Sequence, residues 1–211
     1  MLKTMKFDEK TLAAYVNFLF EAGMLSRLPR SGFAFLGSGK QSVAEHSFRM
    51  TMTAFALAEM VKNESPVNGF KLLKMCLFHD LPEARTGDLN YVNKKYVKAD
   101  ETKIHSEYKA DFPFGEEISE LLQEYMDNQS VEAIIAHDAD QLELLLVLRE
   151  EIEMGNPRAQ IWYDKCLQRL QTDAAKSLAK TFLSTSPDSW WMRDPTDPHW
   201  IHGGKNSISP K

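Results

Sequence analysis

Apolar residues recur at helical spacing along nearly all of the 211-residue chain, and this periodicity is the strongest constraint on its fold. The segments Thr11 to Leu25, Val43 to Val61, Phe70 to Phe78, Thr102 to Ala110, Glu116 to Met126, Val131 to Met154 and Pro157 to Leu183 each carry a stripe at i, i+3 or i+4. Alternating, strand-like patterns are scarce. The breaks hold residues that stop helices: three glycines between Arg30 and Gly39, Pro66 to Gly69, Thr86 to Asn93, and Gly155-Asn156-Pro157. The pattern predicts an all-α fold, a single helical bundle over residues 1–183 with an irregular tail over 184–211. That tail holds four of the nine prolines and three of the four tryptophans, Trp190, Trp191 and Trp200. It reads either as a lid or partner-binding segment, or as a tail whose aromatics pack on the domain or on a second subunit before fraying after His202.

The 25 basic and 30 acidic residues leave a net charge of −5, which argues against coating a nucleic acid polymer or an anionic membrane. Any anionic ligand must be met by a few local cations. Cys76 and Cys166 lie inside apolar helical patterns and read as buried thiols, which fits a reducing, cytoplasmic setting. The apolar stretch from Leu12 to Phe20 is bracketed by Asp8, Glu9 and Glu21, so it reads as a helix rather than a leader peptide. No run of 18 apolar residues offers a membrane span.

Three short segments concentrate chemistry. Ser42 with Glu45 makes a capping box, so a helix starts at Val43 and His46 falls in its first turns, on the stripe shared with Met50 and Leu57. His79-Asp80 closes the apolar run from Leu72 to Phe78. Chance alone gives about 0.4 His-Asp pairs at this composition, and a second occurs at His137-Asp138, so context has to discriminate. Pro82 should kink the chain just after the first pair and splay its side chains, while Asp80 could equally cap the turn that follows. Asp140 shares the apolar face of Ala133, Ala136, Leu144 and Val147, where a carboxylate is costly unless paired or bound to a metal. Asp138, on another face, reads as solvated. His137 either orients Asp140 or faces solvent. Two imidazoles and two carboxylates facing one core suggest a divalent-metal site suited to hydrolysis.

The segments Ser42 to Ser47, Phe78 to Asp88 and Ala139 to Leu142, with 33 residues from His46 to His79 and 60 from Asp80 to Asp140, resemble the H…HD…D signature of the HD-domain metal-dependent phosphohydrolases. Within that superfamily they are most similar to the 5'-deoxynucleotidase branch. The resemblance implies that His46, His79, Asp80 and Asp140 hold one divalent ion, with manganese, cobalt or iron more typical than magnesium. It assigns Glu83 as the carboxylate that activates water, Asp88 as a residue placing water and sugar, and Arg27 as the grip on the substrate phosphate, with Lys94 as a second cation. It further implies a small-molecule nucleotide substrate, loss of the 5'-phosphate to metal-activated water, and a homodimer. Three positions depart from the branch. Leu28 stands where relatives have a Trp that helps exclude a 2'-hydroxyl, His137 replaces a Lys, and His105 has no counterpart. His105 alone does not complete the extra histidines of two-metal relatives, so one ion is expected. Competing readings are hydrolysis of a nucleoside triphosphate or cyclic dinucleotide, and a non-catalytic nucleotide-binding module.

Overall fold

Polar side chains start many of the helices in the computed structural model, which describes residues 7–203. Asp8 caps α1 (Glu9–Met24) by accepting the Thr11 N–H, and after the short α2 (Phe33–Leu36), Ser42 caps α3 (Val43–Val61). The box at Ser42 is reciprocal: the Ser42 N–H donates to Glu45 Oε2 at 2.6 Å and the Glu45 N–H to Ser42 Oγ at 3.2 Å. Asn68 starts α4 (Gly69–Phe78), which is followed by the single turn α5 (Glu83–Thr86). A 3-10 turn (Asn93–Lys95) then leads to α6 (Glu101–Asp111), capped by Asp100, and α7 (Gly115–Asp127). Ser130 starts the long α8 (Val131–Glu153), followed by α9 (Ala159–Leu167), α10 (Asp173–Phe182) and a last turn, α11 (Pro198–His202). Among the described residues there is no strand, only one antiparallel bridge between Pro29 and Ser42.

α8 runs through the centre and packs against α3, α4, α7, α9 and α10. Its buried Ala133, Ala136 and Ala139 let neighbouring helices approach, and Leu142, Leu145 and Leu148 fill the rest against Met50, Leu57 and Leu72. A second apolar cluster joins Leu25, Val43, Leu81, Tyr108, Ile118 and Leu122. The polar centre lies at the seam between them, because His46 sits between Val43 and Met50, and His79 between Cys76 and Leu81.

The predicted helix from Pro157 to Leu183 is two helices. The chain breaks at residues 168–172, where Thr172 caps α10 and the Gln171 and Thr172 N–H groups are taken up by a carboxylate of α8. In the tail, Trp190, Trp191 and Trp200 are exposed and Trp191 rests on Trp200 with ring centres 5.1 Å apart. The fraying expected after His202 and Pro210 itself fall beyond the described residues, apart from Gly203. No described helix is long and apolar enough to cross a membrane.

Candidate metal centre

The capping box fixes where α3 begins and so places His46 one turn in, fully buried. His79 is the residue on which α4 ends. Beyond it the chain tightens into turns, with the Leu81 N–H donating to the Phe78 carbonyl at 2.9 Å and the Glu83 N–H to the Asp80 carbonyl at 3.0 Å. Pro82 opens α5 with no side-chain cap, so the Asp80 carboxylate is free of that task and turns to the imidazoles. Its Oδ2 lies 3.1 Å from His79 Nε2 and 3.6 Å from His46 Nε2. Asp140, from the middle of α8, brings Oδ1 to 3.2 Å from His46 Nε2.

One ligand atom each from His46, His79 and Asp140 lies within 4.8 Å of the others, so these three can hold a metal ion, and Asp80 borders them. Their donor chemistry fits one. His46 Nε2 and His79 Nε2 are buried and make no hydrogen bond among the described residues. Each ring is oriented through its other nitrogen. His79 Nδ1 lies 2.8 Å from the Cys76 carbonyl, which can only accept, so Nε2 is the nitrogen left to face the centre. His46 Nδ1 lies 2.6 Å from Glu143 Oε2. This carboxylate behind a histidine is the arrangement that orients a metal-binding imidazole. Without a cation the carboxylates keep His46 protonated: burial opposes the charge, but Asp140 and Glu143 outweigh it and raise the imidazole to about 9.

Burial alone would raise the Asp80 and Asp140 carboxyls, yet His46, His79 and Arg30 hold both below the usual carboxylate range. Glu83 goes the other way. Its burial, then the nearby charges of Asp80 and Asp88, push it up to about 8, and its Oε2 is buried without a hydrogen-bond partner among the described residues. Asp88 follows Gly87, whose φ of 77° and ψ of 158° belong to a region open essentially only to glycine. The turn aims Asp88 Oδ2 at Ser31, whose N–H and hydroxyl donate to it at 2.6 and 3.1 Å. Asp88 therefore ties the loop carrying Arg30 to the loop after α5.

The two candidate phosphate-side cations lie further out. Lys94 is exposed, on the wall of a cavity that includes His79 and Glu83. Arg27 is exposed on an open groove shared with Arg30. The guanidinium that reaches the centre is that of Arg30, with Nη1 3.4 Å from Asp80 Oδ2. Burial disfavours its charge, but Asp140, Asp80, Glu143 and Asp88 hold it protonated. Backbone pairing aims it: the Arg30 N–H donates to the Gln41 carbonyl at 2.8 Å, and the Val43 N–H to the Leu28 carbonyl at 2.9 Å. Such pairing leaves no local sequence signal, which is why Arg30 is not read from the chain, and the family resemblance points to Arg27 instead.

Glu143 also escapes the sequence reading. It is fully buried and accepts from Gln41 Nε2 at 2.6 Å and Arg49 Nε at 2.9 Å besides its contact with His46. The available signal was a lone carboxylate three residues past Asp140, set against the run Leu144-Leu145-Leu146.

Asp138 is a correction. It is fully buried rather than solvated, and it is the carboxylate that accepts the Gln171 and Thr172 N–H groups, at 2.7 and 2.8 Å. Its neighbour His137 stacks on Tyr125, with ring centres 4.0 Å apart, and its Nε2 lies 2.8 Å from the Tyr125 carbonyl, so it neither touches Asp140 nor stands free in solvent.

Comparison with known proteins bears on this geometry. A sequence profile described as HD domain matches residues 22–182. Among curated relatives, the 5'-deoxynucleotidase HDDC2 of Danio rerio is 30% identical over 149 residues, covering 67% of this chain and 72% of that protein. The protein of the same name from Dictyostelium discoideum is 31% identical over 144 residues, covering 64% and 76%. Among solved structures, a conserved hypothetical protein from Pyrococcus furiosus superposes with a TM-score of 0.71 at 26% identity, covering 81% of this chain and 99% of the other. A structure described as a predicted metal-dependent phosphohydrolase from Magnetospirillum magnetotacticum MS-1 gives a TM-score of 0.66 at 27% identity, covering 83% and 95%.

Proposed function

The chain belongs to the HD domain family, and we propose that it is a metal-dependent phosphohydrolase that removes the 5'-phosphate from nucleoside monophosphates, deoxynucleotides among them. The observation that carries the proposal is the convergence of two buried imidazole nitrogens and the Asp140 carboxylate beside Glu83 and Arg30. His46, His79 and Asp140, with Asp80 beside them, would hold one divalent ion, and this mixed nitrogen and oxygen set suits manganese, cobalt or iron. When bound, such an ion supplies Lewis-acid stabilisation of charge on a phosphoryl oxygen and acidifies water.

The remaining steps fall to the protein. Arg30 offers a charged fork to the phosphate, with Arg27 on the adjoining groove and Lys94 on the wall of the cavity that includes His79 and Glu83. Glu83, a largely buried carboxyl beside Asp80 and Asp88, is the group placed to take and return a proton next to the centre. It takes a proton from the attacking water as the bond to phosphorus forms, and the nucleoside 5'-oxygen leaves with a proton as its bond to phosphorus breaks. Asp88, through Ser31, keeps the Arg30 loop against the Glu83 turn.

The family match ending at residue 182 supports a functional unit over 1–183. A homodimer is supported by the exposed apolar Phe48, Met52 and Phe55 on one face of α3 and Leu19 and Phe20 on α1. The test of the reaction is a phosphate-release screen on metal-stripped protein, with manganese, cobalt or magnesium restored, across ribo- and deoxynucleoside mono-, di- and triphosphates. Metal-dependent release from monophosphates is expected. Release from triphosphates alone, or from none, would overturn the reading.

A further inference from the structure

A cavity of about 240 Å³ borders the metal centre. His79, Asp80 and Glu83 form one end, and Ile104, Leu122 and Met126 line it with apolar surface. Thr86, Lys94 and Glu101 add polar groups to its wall, and the fold holds two further side chains, Tyr125 and His105, in place. Tyr125 has its ring centre 5.4 Å from that of His79, and the ring is held by its stack on His137, with centres 4.0 Å apart. His105, on α6, is half-buried, and its ring nitrogens make no hydrogen bond among the described residues. α6 is clamped against α7 at this point: a Cβ at Gly115 would overlap the Tyr108 carbonyl, and Ser119 Oγ donates to the His105 carbonyl at 3.3 Å.

A mostly apolar slot with an aromatic wall and side chains able both to donate and to accept, His105 and Thr86, matches a flat heteroaromatic ring. The volume is below the roughly 300–1,000 Å³ of pockets for drug-sized ligands, which suits a single base rather than a dinucleotide. We propose that this cavity receives the base end of the nucleotide, with Tyr125 as the aromatic wall and His105 as the side chain that hydrogen-bonds the base edge. The proposal rests on the phosphohydrolase reading above and adds a substrate subsite to it. The departure at His105 then has a role in choosing the base.

Calorimetric titration of deoxyadenosine and deoxycytidine, which lack the phosphate, into the full chain tests the subsite directly. At least one should bind, His105→Ala should weaken it about tenfold, as loss of one hydrogen bond implies, and His105→Gln should recover most of the loss. Ala99→Trp, which fills the cavity from a half-buried wall position, should abolish binding while circular dichroism reports an intact fold. In kinetics, the ratio of KM for the nucleotide to KM for deoxyribose 5-phosphate should rise about tenfold in His105→Ala. Absence of nucleoside binding by the parent protein, or equal binding by all variants, would overturn the subsite. If the protein releases phosphate from no nucleotide yet binds nucleoside through His105, the reaction falls and the subsite stands. If it hydrolyses nucleotides with a KM ratio indifferent to His105 and Ala99, the subsite falls and the reaction stands.

Discussion

His79-Asp80 and His137-Asp138 are the same dipeptide in two settings. The first ends α4, and the turns through Pro82 let both side chains face the seam between the two apolar clusters, where His46 and Asp140 meet them. The second lies within α8, whose helical geometry sends its side chains about 100° apart. His137 goes to Tyr125, and Asp138 goes to the backbone that starts α10. A carboxylate largely withdrawn from solvent is tolerated in both places because each is satisfied, half-buried Asp80 by Arg30 and the imidazoles and fully buried Asp138 by backbone N–H groups. The pair thus acquires its role from where the helix ends.

Substitutions at the two pairs and their neighbours should separate chemistry from folding. Glu83→Ala, just past the first pair, is expected to lose at least ~10²-fold in turnover with metal content retained, as for removal of a positioned acid–base group. Equal turnover would remove Glu83 from the reaction. Asp138→Ala leaves two backbone N–H groups without their acceptor and should cost about 2–4 kcal/mol in urea unfolding, with metal content unchanged in the folded protein. A loss of metal there would blur the distinction between the pairs. Glu143→Gln, behind His46, should weaken metal binding ~10–100-fold in a chelator competition, more than it alters stability. Unaltered affinity would make Glu143 a packing residue only.

The smallest effect concerns pH. In metal-stripped protein His46 is raised from 6.5 to about 9 and Glu83 from 4.5 to about 8, so the folded state holds protons that the unfolded chain has released. The stability contributed by His46 is complete below pH 6.5 and lost as pH rises through 9, and the Glu83 contribution falls between 4.5 and 8 with the same sign. The lowered Asp80 and Asp140 add no slope there, being ionised in both states. Thermal unfolding should therefore drop by roughly 5 °C or more from pH 6 to pH 9, and Glu83→Gln should flatten part of the slope. A rise over that window would contradict the charge arrangement at the centre.

Much of this was legible wherever the causes are local. The box at Ser42 and Glu45 spans four residues and fixes the register of His46. The helix-breaking character of Pro82 is a property of that residue and its neighbour, and Asp140 stands out as a carboxylate in an apolar stripe. Features set by distant segments were not legible. Arg30 depends on pairing with Gln41, the break before α10 on Asp138 more than thirty residues earlier, and the aim of His137 on Tyr125 in another helix. A helical wheel places Asp138 off the main stripe, yet α10 covers that side as well.

The direct test is calorimetric titration of manganese into stripped protein carrying His79→Ala or His137→Ala, compared with the parent chain. Parent and His137→Ala should bind one ion with similar affinity, and His79→Ala should bind none. Undiminished binding by His79→Ala, or loss confined to His137→Ala, would contradict a metal centre built on His46, His79 and Asp140.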